Sequence, residues 1–261
     1  MRSIYSTLTF FGILFLSFSI KAQKLPNVQK ASVWAPSNIK IDGQATEWNN
    51  KYQAYNSATD VNYTLSNDDK NLYLIIKAER TMVIGGRILA AGISFTVNHT
   101  LSKKDAAAIT VTYPVAQGKE WGVLSELFYS AAGMKVGSSS GGGNSLNRLN
   151  KTFTEKSKFI GITGIKSVAD KEIPIYNDLN IQVASAFHEP AIYVYELAIP
   201  LQLLALPQEG AQGFSYHIKL NVRSRTPPQV ISPNALPEPP IAPEFTTPTD
   251  FWGEYTLAKK P

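Results

Sequence analysis

From Phe214 to Arg223 the chain alternates without a break. Phe214, Tyr216, Ile218, Leu220 and Val222 are apolar, and Ser215, His217, Lys219, Asn221 and Arg223 between them are not. A period of two puts neighbouring side chains on opposite faces, so this segment suits a half-buried β-strand and nothing else of that length. The pattern recurs. Ile93, Phe95 and Val97 alternate with Ser94, Thr96 and Asn98, and Ile109, Val111 and Tyr113 with Thr110 and Thr112. Ile181 and Val183 alternate with Gln182 and Ala184. Val61 to Ser66 and Leu72 to Ala78 are two further strand-like runs, joined by the polar turn Asn67-Asp68-Asp69-Lys70-Asn71. Ile192 to Tyr195 is apolar on both sides, as a central strand can be. Many short strands with polar turns predict an all-β fold, a two-sheet antiparallel β-sandwich of jelly-roll or immunoglobulin-like outline.

The first residues predict export. Arg2 supplies a positive start, Leu8 to Ile20 is mainly apolar, and Ala22 is a small residue at the expected cleavage point. Residues 1–22 are thus expected to be a signal peptide, and 23–261 a single sandwich domain with its core at about 31–257. No later run is apolar enough to span a bilayer. The chain has no cysteine, which rules out disulfides, thiol catalysis, cysteine metal sites and a lipidated cysteine anchor. Such a chain depends on core burial alone. Its formal net charge is +5, and Arg2 and Lys21 leave with the signal. The remaining lysines are scattered, without the basic run of a nucleic-acid binder.

Several segments depart from the alternation. Around Lys119 to Met134, Trp121, Leu124, Leu127, Phe128 and Ala131 recur at helical spacing, which predicts a helix or an irregular loop. Leu201 to Leu206 predicts a turn or two of helix between Pro200 and Pro207. Gly137 to Ser145 has the composition of a flexible linker and lacks the Gly-Lys-Ser/Thr of a phosphate loop. Arg225 to Asp250 is proline-rich and predicts an extended excursion, since proline cannot donate to a sheet ladder. Phe251 to Leu257 should return from it as a last strand of the main sheet.

Taken in order, Ile41-Asp42-Gly43, Trp48, the polar turn before Asn71-Leu72-Tyr73-Leu74, and Tyr195-Glu196-Leu197-Ala198-Ile199-Pro200-Leu201 form a pattern. In these motifs the chain resembles family-9 carbohydrate-binding modules and the wider DOMON-like sandwich group. The resemblance implies a two-sheet sandwich holding a ligand at a cleft or rim. It implies a sugar as ligand, and haem in some relatives. The chain departs from that pattern at Lys77-Ala78-Glu79-Arg80, where an acidic residue is common, and in the insertion from Lys119 to Asn150. The two tryptophans that clamp a sugar in such modules have no counterpart that can be assigned here.

Sugar binding requires a flat aromatic face with polar groups around it. Trp121 in the insertion, Tyr129 eight residues on, and Trp34 near the mature N-terminus are the candidate ligand-binding residues. Trp48 is expected as a lid on one end of the core, and Trp252 as a buried or half-buried strand residue. Glu196 is expected to bond backbone amides of a neighbouring loop, or else to line a site. Asp42 is expected to form its turn.

Catalysis is not expected. Glu120, Glu126, Glu189 and Glu196 are joined by no glycosidase-like motif. His99, His188 and His217 lack metal spacing, and nothing pairs them with Met82 or Met134 for haem. A calcium ion at Asn67-Asp68-Asp69 is conceivable, although a plain turn fits better. The sequence therefore predicts an exported, non-catalytic carbohydrate-binding protein with no cofactor. It would reside in the periplasm, at the cell surface or in the medium. The alternatives are a cell-envelope interaction protein with a protein partner, and a haem carrier.

Overall fold

The computed structural model describes residues 24–115, 120–134, 144–166, 168–188, 192–206, 213–223 and 247–261, with the side chains of Glu120 and Trp121 left aside. The expected signal peptide, residues 137–143 of the Gly/Ser stretch and residues 225–246 of the proline-rich excursion lie outside them.

The chain is a β-sandwich of two antiparallel sheets. The first holds five strands in the order β1-β2-β3-β9-β8, and the second six in the order β11-β10-β4-β5-β6-β7. In the first sheet β1 is Ala54–Asn56, β2 Val61–Asn67, β3 Asn71–Ala78, β8 Gln182–His188 and β9 Ile192–Pro200. In the second, β4 is Ile93–Val97, β5 Ile109–Tyr113, β6 Phe159–Thr163, β7 Glu172–Pro174, β10 Phe214–Leu220 and β11 Thr249–Tyr255. The last strand pairs with β10 along its whole length, from Phe214 opposite Tyr255 to Leu220 opposite Thr249.

The alternation explains what each sheet buries. Val61, Tyr63 and Leu65 of β2 and Leu72, Leu74 and Ile76 of β3 face Phe95, Val111, Tyr216 and Phe251 from the other sheet in one continuous core. Transferring such side chains from water is worth roughly 1.5–3 kcal/mol each, which is how a chain without disulfides holds two sheets together. Gly253 is part of this fit. A Cβ there would lie 2.2 Å from the Tyr216 ring, so only glycine lets β11 approach β10 this closely.

The first sheet is covered on its other face as well. Ala35, Ala45 and Trp48 pack on Tyr73, Ile75, Val194 and Ala198 as a second apolar cluster. β9 is therefore buried on both faces, as its continuous apolar run implied. Trp48 does not cap an end of the main core as expected. It lies in this outer layer, edge-on to Tyr73 with ring centroids 6.3 Å apart.

The insertion leads into a helix that the sequence did not indicate. Two short helices, α1 (Thr81–Val83) and α2 (Leu89–Ala91), flank a π turn at Ile84–Ile88. They precede α3 (Glu120–Ala131) and α4 (Ser145–Lys156). Sequence periodicity indicated α3 but not α4. Phe128 of α3 and Phe153 of α4 meet Phe187 of β8 at centroid distances of 5.8 and 5.3 Å. Asn150 closes the exposed edge of β8: its Oδ1 accepts the Phe187 N–H at 2.8 Å, and its Nδ2 donates to the Phe187 carbonyl at 2.8 Å. The side chain stands in for a missing neighbouring strand. Of the turn or two of helix expected over Leu201 to Leu206, Leu201–Leu203 forms one 3₁₀ turn after Pro200.

Candidate functional site

The two ends of the sequence pattern meet through one carboxylate. Glu196, fully buried, accepts the N–H groups of Asp42 at 2.9 Å, Gly43 at 2.7 Å and Ala45 at 3.2 Å. Burial pushes its pKa up, while the Gly43 and Asp42 N–H groups pull it back down. Asp42 stays out of the pocket and bonds the Gln44 N–H at 3.1 Å, as a turn former does. Gly43 has φ +83°, and a Cβ on it would lie 2.8 Å from the Ala186 nitrogen. The Ile-Asp-Gly motif and Glu196 are thus one structural clasp. A carboxylate sealed by three amides is not available as a catalytic acid or base.

The other expected site residues are separated. Tyr129 is half-buried on α3, with its ring against Phe128 at 5.3 Å and its hydroxyl end over Gly85. The side chain of Trp121 lies outside the described residues. Trp34 does line a cleft, of about 490 Å³, together with Asn38, Asp68, Tyr73 and Lys260. Asp68 and Tyr73 of that cleft are already engaged with each other and with the turn. Asp68 accepts the N–H groups of Lys70 and Asn71, each at 2.7 Å, and the Tyr73 hydroxyl at 2.8 Å. Burial alone would raise the Asp68 pKa, but these three donors hold it below the usual carboxylate value. Asn67-Asp68-Asp69 is thus a self-bonded turn. Among the described residues no group of three or more His, Asp and Glu is placed to hold a metal ion.

A different aromatic residue has the better setting. Trp252 lies on β11, the edge strand of the second sheet, pointing away from the core that takes Phe251 and Tyr255. Its cross-strand partner is His217, and the two rings stack with centroids 4.3 Å apart and planes only 7° from parallel. His217 Nε2 lies 2.9 Å from Asp250 Oδ2. A carboxylate can only accept, so Nε2 carries the proton and donates it. Asp250 therefore fixes the imidazole, and the imidazole fixes the indole. Because His217 occupies the inner side, the other indole face looks outward over the sheet edge. There Trp252 lines a cleft of about 710 Å³ with Asn27, Lys30, Lys103 and Glu254.

The far bank of this cleft is residues 26–30, which many bonds hold in place. Gln29, nearly fully buried, takes the position of an extra strand beside β2. Its Oε1 accepts the Leu65 N–H at 2.8 Å, and its Nε2 donates to the Leu65 carbonyl at 2.7 Å. Its own N–H donates to the Tyr63 hydroxyl at 2.9 Å. Asn27 Oδ1 accepts the Ser57 N–H at 2.8 Å, and the Pro26 carbonyl accepts the Tyr55 N–H at 3.0 Å. A cleft built this way is formed before any ligand arrives. On the same sheet face, inward from the stack, lie the hydrogen-bonded pairs Thr96–Thr110 at 2.8 Å and Ser94–Thr112 at 2.7 Å.

Sequence reasoning placed Trp252 on its strand and predicted its partial burial, but not the cleft. The signal was there in the alternation, which puts Trp252 and His217 on the solvent face. The bank comes from residues more than two hundred positions away, and no local pattern announces that contact.

No protein-family model matches this chain, and no curated protein matches it in sequence. Among solved structures it is similar to a family-9 carbohydrate-binding module from Caldicellulosiruptor kristjanssonii, determined in complex with glucose. The two are 12% identical, the match covers 74% of this chain and 78% of that chain, and the TM-score is 0.35. With so little in common, the likeness assigns no residue a role.

Proposed function

We propose that this protein is an exported, non-catalytic binding module for a carbohydrate, and that the sugar docks on Trp252. One observation carries the proposal: a half-exposed indole, stacked on His217 and pinned through Asp250, forms a wall of a pre-formed cleft with charged groups at its margin. The C–H face of a pyranose is apolar and its rim is polar, which this arrangement complements on both counts. An aromatic wall held rigid before binding loses little entropy on binding. Among the described residues no helix is long and apolar enough to cross a membrane. Trp34 offers a secondary contact at its own cleft, and Trp121 and Tyr129 remain candidates on α3.

Covering one indole face would remove on the order of 80–100 Å² of apolar surface, worth about 2–2.5 kcal/mol at roughly 25 cal/mol per Å². Trp252→Ala should therefore weaken glycan binding by roughly 30- to 70-fold. The test is a glycan array followed by affinity electrophoresis of the wild type, Trp252→Ala and Trp34→Ala. Binding that Trp252→Ala abolishes and Trp34→Ala spares supports the proposal. Binding to no glycan, or a Trp252→Ala variant that binds like wild type, ends it. Export is tested separately: the N-terminal residue of protein recovered from outside the cytoplasm should be Gln23.

A further inference from the structure

The cleft beside Trp252 is lined by two lysines that form no ion pair among the described residues. Lys30 stands on the bank formed by residues 26–30, and Lys103 on the loop between β4 and β5. Both are exposed, and neither has an ion-pair partner among the described residues. Glu254, the carboxylate of the same lining, is exposed and pairs with neither of them.

The backbone beside each lysine is fixed. Next to Lys30, the side chain of Gln29 is clamped to Leu65 and also donates to the Ala31 carbonyl at 2.7 Å. Next to Lys103, the Ser102 carbonyl accepts Asn98 Nδ2 at 2.5 Å and Ser215 Oγ at 2.9 Å, and Asn98 and Ser215 are themselves buried. Two segments far apart in sequence thus present ammonium groups to one cleft from anchored positions. The indole of the same lining offers a surface for a sugar ring.

We propose that the saccharide bound at this cleft is anionic, with one ring on Trp252 and its negative group drawn to Lys30 and Lys103. The inference rests on the reading of the cleft as a sugar site and adds the charge of the ligand. A carboxylate of a uronic acid and a sulfate ester share the required chemistry, and the two sources are separated by experiment. Glu254 fits the same picture as an acceptor for a sugar hydroxyl at the margin.

The test measures binding of polygalacturonate, a sulfated galactan and a neutral β-glucan by calorimetry. It uses the intact protein, the double variant Lys30→Gln/Lys103→Gln, and Trp252→Ala, at low and high salt. Two exposed ion pairs are worth about tenfold together. One of the anionic polymers should therefore bind about tenfold more tightly than the neutral glucan, and the double variant should lose that margin with an unchanged Tm. High salt should remove the same margin. Which anionic polymer binds names the source, carboxylate or sulfate. A neutral glucan bound as tightly as both anionic polymers, with the double variant unaffected, overturns the anionic inference. It leaves the Trp252 site standing if Trp252→Ala still loses binding. Absence of binding to all three polymers and to the wider array overturns both.

Discussion

Removing the Glu196 carboxylate should loosen the whole outer layer of the first sheet, by an amount the geometry sets. One oxygen, Oε2, accepts the Asp42 and Gly43 N–H groups, and Oε1 accepts that of Ala45. Glu196→Gln can keep a carbonyl oxygen at the Oε2 position. Its amide NH2 then faces the Ala45 N–H, donor against donor, and one buried donor goes unsatisfied, at about 2 kcal/mol. Glu196→Ala leaves the Gly43 and Ala45 donors without an acceptor, while the Asp42 N–H reaches water. Two dry donors cost roughly 4 kcal/mol, the released desolvation of the carboxylate offsetting part of the rest. For a domain of this size 1 kcal/mol moves Tm by about 2–4 °C, so losses of roughly 4–8 °C and 8–16 °C are expected. Urea unfolding should show the midpoint falling at constant slope. Amide exchange at Gly43 and Ala45 should accelerate in both variants. If Glu196→Ala unfolds within about 0.5 kcal/mol of wild type with those amides still protected, the clasp is not what holds the segment. A variant of normal stability that lost only ligand binding would equally refute the structural role.

Other perturbations follow from single contacts. Gly43→Ala combines a left-handed backbone with a Cβ 2.8 Å from the Ala186 nitrogen, and should cost roughly 3 kcal/mol in urea unfolding. Asn150→Ala removes both bonds to the Phe187 backbone and should destabilise by about 1–3 kcal/mol, with faster exchange along β8. Asp105 is held below the usual carboxylate pKa by the His99 N–H, the His99 ring and the Ala107 N–H. A depressed folded-state pKa gives stability that is full above the unfolded value of about 3.9 and lost as pH falls through the folded one. Acid titration should therefore melt the loop between β4 and β5 ahead of the sheets, and Asp105→Asn should flatten that pH dependence.

Strand period and turn chemistry made the sandwich legible. Leu72 to Ala78 read as a strand, but its unbroken apolar run did not show that Leu72, Leu74 and Ile76 bury on one face of β3 and Tyr73 and Ile75 on the other; the Asn67–Asn71 turn announced its own side-chain bonds. β6 and β7 were missed because each is short and Phe159–Thr163 carries glycine and an exposed phenylalanine. α4 was missed because no side chain caps its start at Asn144 and a Gly/Ser-rich stretch precedes it. The choice of Trp121 followed from its place in a loop-like insertion. Trp252 looked like packing because a strand tryptophan usually is. What makes it a wall is the bank at residues 26–30, brought there by bonds to Tyr63, Leu65 and Ser57.

Those bonds belong to a larger closure near Asn67. Its amide Nδ2 donates to the Ala258 carbonyl at 3.1 Å, and its Oδ1 accepts both the Ala258 N–H at 2.7 Å and the Tyr255 hydroxyl at 3.1 Å. The Val33 carbonyl accepts the Asn67 N–H at 3.1 Å, and Ser32 reaches the Thr256 carbonyl at 2.6 Å. Polypeptide emerging from a ribosome cannot complete this knot until its closing strand has been synthesised, so the early sheets must wait with their edges unguarded. Contacts this far apart in sequence close late and slow a chain's folding, so the rate at which this sandwich forms is set by the wait for its last strand.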